Sequence, residues 1–450
     1  MSPSESRRPR ATGLAARAAR GRWMVLGVLL GLAVTPRARA ETIDATSTTL
    51  VSGRQDPRDG VIHTTVPVFE LVSVRASDLR VPGVDDMLVV MSGWGAVQLA
   101  DPDVAFGNSK HALGDLDVAF AEGKLLHRRI AVRLGRQFLM SGAGRNLAFD
   151  GLSLTVRPVR WVGVSAQAGV PVTPRFGVDR GDALVAGRAF VKPAFDGEAG
   201  VSFLQTLDNG EVARRDLAFD ARLVPVRAVP LALSGFALFS LPERRLGEGH
   251  VTASWQLGRR LEVSGDYRRT APDLFLPRNS IFSVFSQETR DEAGGYLYLK
   301  LVPRLRLQGD YHVIVDASGT GHDGSAKLTG TFGRDGRNTA GLESRRLRLT
   351  QSGYTMMRAF TLLRVAPRLA TTLDASSFFF DADVNGHRQS FVAAATLAYD
   401  FRPGWRALIT GIGSVTPFAE RRFEGMAKLV YQLTTQVHQA VHQVTAQVTP

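Results

Sequence analysis

The chain has 450 residues and no cysteine, with 55 basic against 42 acidic side chains and a formal net charge of +13. A chain without cysteine has no disulfide, no thiolate metal site and no cysteine nucleophile. Residues 1–40 hold eight arginines and one glutamate, +7 in all, which leaves 13 − 7 = +6 for the rest. That excess is no argument for nucleic-acid binding, which needs a basic face on a recognisable module.

The first 40 residues read as a secretory signal peptide. A basic head with Arg7, Arg8, Arg10, Arg17, Arg20 and Arg22 precedes the apolar run WMVLGVLLGLAV, and TPRARA ends at Ala40. The run is short of the roughly 20 residues a membrane-spanning helix needs. The Arg7-Arg8 pair lies too far from the apolar core to serve as a twin-arginine signal. After Ala40 no apolar stretch reaches helix length. A membrane-spanning form would therefore be a closed β-barrel, the other structure that satisfies its own backbone in lipid.

Residues 41–65 are polar and fit either a first strand or a periplasmic lead. From about Val66 to Leu433 the pattern alternates with period two, which makes strands with one apolar and one polar face. HVTASWQL sends Val251, Ala253, Trp255 and Leu257 one way, and Thr252, Ser254 and Gln256 the other. LSLTVRP, LAFDARLV, LRLQGDYHVIV and SFVAAATLAYDF divide in the same manner.

Short turns with a Pro or Gly beside a basic residue (VRPVRW, LVPVRAVPL, LGRRLEV, LVPRLRL, VAPRLAT, FRPGWRA) punctuate the pattern. With the weaker turns VKPAFDGEA and GRDGRN they centre near 158, 194, 227, 259, 303, 335, 367 and 403, about 32 to 36 residues apart except for one gap of 303 − 259 = 44. Two further turns fall near 84 and 127. Proline cannot donate to a ladder and marks where pairing stops. Between these turns stand polar segments expected to be longer loops: TPRFGVDRGD, LDNGEVARR, ASGTGHDGS, DADVNGHRQ and TPFAERR. Short turns at one end and longer loops at the other describe an all-β, antiparallel up-and-down barrel with its short turns in the periplasm. The expected strand count is about 20, within 18 to 22. The barrel is expected over 66–433, with a polar tail at 434–450.

The segment LPRNSIFSVFSQETRDE (276–292) is the widest insertion and carries Ile281, Phe282, Val284 and Phe285. An apolar loop of that length is expected to fold into the barrel mouth as a constriction or plug, or to contact a partner; its other reading is one more strand and loop.

With these strands and turns the chain resembles Gram-negative outer-membrane β-barrels, and loosely the porins and alginate-export-type channels. Its most local feature is RLGRQFLMSGAGRNLAFDGLSL, which is similar to their strand, Gly-rich loop, "DG" and strand segment. One departure is the end of the chain: such barrels usually finish on an aromatic residue, whereas here Tyr431 is followed by a long tail. The resemblance implies location in the outer membrane, and export of an acidic polysaccharide as a specific activity.

Mid-strand cations on a lipid face cost about 2–4 kcal/mol each at the bilayer midplane, so most should point into the lumen. Parity places Arg133, Arg157, Arg188, Arg222, Arg268, Arg306, Arg346 and Arg348 inside, with Asp220, Glu262, Asp266 and Asp310 among them. Arg136 has the opposite parity to Arg133; a bulge at Gly135 that resets the face is the expected solution, and a snorkelling Arg136 the alternative. Such arginines pair with carboxylates across strands, or leave an excess that favours anions.

Other constellations point to little. SGAGRN lacks the strand-then-helix setting of a phosphate cradle. His438 and His442 lack further ligands, and Asp381 with Asp383 lacks the Gly and terminal Glu of a calcium loop. No nucleophile elbow accompanies His312 and Asp310, so neither an enzyme nor a cofactor is expected. The expected function is a channel for polar, preferentially anionic solutes, in contact with outer-membrane lipid. The alternative is a non-conducting barrel that anchors a periplasmic envelope complex.

Overall fold

The computed structural model describes residues 42–58, 61–100, 112–145, 147–172, 182–193, 197–223, 230–274, 288–333, 335–350 and 352–436. The expected signal peptide, the apolar residues Ile281, Phe282, Val284 and Phe285, and His438 and His442 lie outside the described residues.

The strands, in chain order, begin with β1 (Thr42–Arg58), β2 (Val61–Thr65), β3 (Pro67–Ser77), β4 (Asp86–Gln98), β5 (Ala112–Leu125) and β6 (Ile130–Phe138). They continue with β7 (Ala148–Val159), β8 (Val162–Val172), β9 (Ala183–Val191), β10 (Gly197–Asp208), β11 (Glu211–Leu223) and β12 (Leu231–Ser240). Next come β13 (Arg245–Leu257), β14 (Leu261–Thr270), β15 (Arg290–Val302), β16 (Leu305–Asp316), β17 (Gly319–Phe332) and β18 (Asn338–Arg348). The last are β19 (Gly353–Ala366), β20 (Leu369–Val384), β21 (His387–Arg402), β22 (Trp405–Thr416) and β23 (Ala419–Gln436).

Consecutive strands pair antiparallel, and β1 closes the cylinder on β23 from Thr42↔Gln436 to Arg54↔Glu424. β2 and β3 meet β1 in one continuous register, Arg54↔Thr65 and Val51↔Val68, broken only at Val66 before Pro67. Pro67 has no N–H to donate, which interrupts the ladder without shifting it. Counted together they make one stave, and the wall is a closed 22-strand antiparallel barrel. Residues 42–58 are its first stave, and the ladder continues through Gln436.

Eight of the ten short turns expected from the sequence fall in or beside described connections at one end of the barrel; those near 194 and 227 lie outside the described residues, between β9 and β10 and between β11 and β12. The opposite end differs from expectation. Four of the segments taken for longer polar loops are drawn into the strands and close in two residues. Asn209-Gly210 and Asn385-Gly386 sit at φ 51°, 77° and 49°, 79°, the left-handed pair of a tight hairpin. Ala317-Ser318 and Pro417-Phe418 close the hairpins β16–β17 and β22–β23. Beyond the membrane both faces of a strand meet water, so polarity alone does not end a ladder.

The two faces separate by register. Leu134, Leu152, Val185, Val251, Leu342, Leu373 and Ile409 are exposed on one face. The other face carries most of the strand charges and a segment of chain that packs against it. In lipid the apolar face is the outer one. Phe391 and Tyr399 on β21, and Phe423 and Tyr431 on β23, stand eight residues apart on it (399 − 391 and 431 − 423). At about 3.3 Å per residue and a tilt near 40° that is roughly 20 Å, close to the height of an outer-membrane apolar band. At the short-turn end Trp405 packs on Tyr431 with centroids 4.5 Å apart and on Phe401 at 5.9 Å, the aromatic belt of a membrane interface.

Candidate functional site

After Phe138 the chain leaves the wall and folds inward as an arm, Leu139–Leu147, with a 3₁₀ turn at Gly142–Gly144. Gly142 has φ +72°, and a Cβ there would stand 2.4 Å from the Ser202 hydroxyl oxygen, so glycine is required on both counts. The Ala143 N–H donates to the Ser202 hydroxyl at 2.8 Å. Leu139 and Ala143 pack with Phe149, Leu184, Leu204, Ala218, Phe236 and Leu238 in a core inside the cylinder, where Phe149 and Leu204 are 0% exposed. Each fully buried Leu or Phe contributes about 1.5–3 kcal/mol. Arg145 lies 3.7 Å above the Phe236 ring and pairs with Glu248 on β13, so the arm reaches from β6 across to the far side of β12. Arg214 caps the arm by donating to the Ala143 carbonyl at 3.3 Å.

Beneath the arm is a recess of about 280 Å³ lined by Glu122, Arg133, Gln137, Arg157, Arg188 and Glu198 among others. Arg188 is 8% exposed and is held by Glu198 at 2.6 Å and by Asp220, which Nε reaches at 3.1 Å. It spans from β9 over β10 to β11, and the strand it crosses carries Gly200, where a Cβ would stand 2.6 Å from Nε. Arg133 pairs with Glu122, Nε to Oε2 at 2.9 Å, and lies over Phe120 at 4.3 Å.

Ten of the twelve residues singled out from parity lie on this inner face: Arg133, Arg157, Arg188, Asp220, Arg222, Glu262, Asp266, Arg268, Arg306 and Asp310. Ladder partners fix the assignment, as in Arg222↔Ser234, Glu262↔Tyr298 and Arg306↔Thr329. Arg157, Arg222, Arg268 and Arg306 are exposed there and make no ion pair among the described residues. Asp266 accepts from or pairs with His312 Nε2 at 3.0 Å, so His312 engages Asp266 rather than Asp310, its neighbour in sequence.

Arg346 and Arg348 are corrected: they lie on the outer face. The ladders of β18 run unbroken on both sides, Lys327↔Glu343 and Ser325↔Arg345 with their side chains inward, so Leu342, Arg346 and Arg348 share the other face. Arg345 is the inner residue and pairs with Asp323, Nε to Oδ1 at 2.8 Å. RRLRL misleads because it lies at the loop end of β18, where either face can carry charge. Arg346 binds Asp381 at 2.6 Å and Asp383 binds Arg388 at 2.8 Å, so the two carboxylates are engaged by cations.

The bulge at Gly135 is corrected as well. Pairing is continuous from Ala119↔Arg136 to Leu125↔Ile130, and from Ile130↔Val156 to Phe138↔Ala148. Gly135 has φ +120°, and a Cβ would meet the Ala119 carbonyl oxygen at 2.2 Å, so it bends the strand without resetting its face. Arg136 is therefore outward, and it is neutralised locally: Nε and Nη2 donate to Asp150 at 2.8 and 2.9 Å, and Nη1 to Asp115 at 3.2 Å and the Leu116 carbonyl at 2.7 Å.

The sequence reading missed the arm and the carboxylates that hold the inner arginines, Glu122, Glu198 and Asp323. SGAGRN was the available signal: two glycines flanked by Leu139 and Leu147 mark a segment whose backbone approaches other chain closely.

A closed wall, an apolar outer band and an aromatic belt define the class: the chain is an outer-membrane β-barrel. No family model and no curated protein matches the sequence. Among solved structures it is similar to OccAB4 of Acinetobacter baumannii, with 10% identity, a TM-score of 0.46, and 89% of this chain and 100% of that one covered. It is also similar to the P pilus usher PapC translocation pore, at 10% identity, TM-score 0.49 and coverage of 88% and 100%. OpdK of Pseudomonas aeruginosa, solved with vanillate, gives 12% identity, TM-score 0.43 and coverage of 88% and 98%. Likeness at this level carries no information about solute or partner.

Proposed function

We propose that the barrel is a channel for polar, preferentially anionic solutes. The observation that carries this reading is the division among the inner arginines. Arg133, Arg188 and Arg345 are neutralised by carboxylates, whereas Arg157, Arg222, Arg268 and Arg306 stand exposed on the inner wall without one among the described residues. Unpaired cations along a conduit attract anions while binding each too weakly to trap it. The arm narrows the cylinder at β9–β12, which brings passing solute close to the wall. An acidic polysaccharide leaving the cell is the extended form of the same solute class.

The test is reversal-potential measurement on purified protein in a planar bilayer under a salt gradient. Anion selectivity that falls in Arg306→Glu supports the reading. A steady cation preference, or silence, sinks it, and silence favours a structural barrel that anchors an envelope complex.

A further inference from the structure

Away from the arm, β14 to β18 form a second recess of about 440 Å³ in the inner wall, with Glu262, Tyr296, Tyr298, Asp310, Lys327 and Glu343 in its lining. Register sets these side chains in two adjacent rows. One runs Glu262↔Tyr298↔Gln308↔Lys327, and the next Ser264↔Tyr296↔Asp310↔Ser325.

Tyr296 is 50% exposed on this face, and neither tyrosine hydroxyl has a partner among the described residues. Its ring is fixed: it packs edge-on against His312 at 5.0 Å, and His312 is held by Asp266 at 3.0 Å. The acceptors are open. Glu262 makes no ion pair, and Asp310 accepts only from the neutral Ser325 hydroxyl. Lys327 supplies a donor, 4.0 Å from Glu343.

We infer that this recess is a station for the pyranose ring of a saccharide, an inference that rests on the reading of the barrel as a conduit. Exposed aromatic faces take the apolar C–H face of a sugar, and a carboxylate accepts two neighbouring hydroxyls. A bare anion would meet three carboxylates, Glu262, Asp310 and Glu343; a bare cation would meet Lys327. A ring of hydroxyls uses both. Arg306 lies two residues from Gln308, and Arg268 two from Asp266, each on the inner face and unpaired. A saccharide with a carboxylate would therefore gain an arginine on either side of the station.

The experiment is current block in planar bilayers by maltose, by an oligouronate and by choline, on the wild type and on Tyr298→Ala, Tyr298→Phe, Tyr296→Ala and Arg306→Glu. Maltose should block, and its dissociation constant should rise about tenfold in either alanine variant and less in Tyr298→Phe, which keeps the ring. Arg306→Glu should weaken oligouronate block several-fold more than maltose block. If maltose does not block, if its block is indifferent to both tyrosines, or if choline blocks in its place, the station is not a sugar site. Silence towards all ions would defeat the conduit reading alone. Calorimetry of maltose with the detergent-purified barrel and the same variants then decides the station by itself.

Discussion

The stretch of inner wall that the arm buries and the stretch that stays wet are built from the same alternating strands, yet they use arginine differently. Where the arm covers the inner face, Arg188 is nine-tenths buried between two carboxylates. On the wet wall Arg157, Arg222, Arg268 and Arg306 stand without an ion pair among the described residues, while Arg345 keeps one with Asp323. A covered cation must be neutralised because its desolvation costs several kcal/mol. A wet one need not be, and its field then extends to whatever passes. The covered arginine is structural; a wet one is either paired, as Arg345 is, or free, and only the free ones act through their field.

The largest effects should come from breaking the covered side. Arg188→Ala leaves Asp220 without its cation, while Glu198 keeps Lys192 at 3.1 Å, and should cost about 3 kcal/mol. Arg188→Lys should recover little of it, because one ammonium cannot reproduce a fork that spans two carboxylates. Both are read from the heat-induced gel-mobility shift of the folded barrel. Phe149→Ala empties the centre of the arm core and should cost about 3–5 kcal/mol. Protease cleavage between 139 and 147, with a larger and noisier conductance, is the matching observation; an arm that stays protected would refute its dependence on this core.

On the wet side the effects are smaller and concern selectivity. Arg306→Glu or Arg268→Glu changes the lumen by two charges, worth roughly 1 kcal/mol at ~8 Å in water, about fivefold in anion preference before screening. Neither should alter the melting behaviour. Arg348→Glu is the control: on the outer face it should leave the reversal potential unchanged, and a shift equal to that of Arg306→Glu would overturn the register assignment. Smallest of all, Asn385→Ala should cost no more than about 1 kcal/mol through its positive φ, visible only as a lowered denaturant midpoint.

Arg346 and Gly135 show where the sequence stops being legible. Inside the bilayer the outer face is predominantly apolar, so LSLTVRP and LRLQGDY could be assigned by inspection. At the loop end of β18 water lies on both faces, and RRLRL no longer says which side is in. At Gly135 the sequence offered a bulge or a snorkel. The fold chose an ion pair with Asp150, a residue on the next strand whose nearness depends on pairing. The Asn-Gly pairs at 209–210 and 385–386 are legible as tight hairpins in spite of their polar flanks, because both residues adopt the positive φ such a turn requires.

The alternation of apolar and polar residues, broken by Pro and Gly at regular intervals, determined by itself that this chain forms long antiparallel strands around a wet interior. A period of two leaves no other way to bury one face while keeping the other polar. Which arginines are spent on carboxylates, which stand free, and which segment turns inward were decided only by the tertiary structure. Those outcomes depend on register between strands and on close backbone approaches at Gly142 and Gly200, and neither is written in the pattern of any single strand.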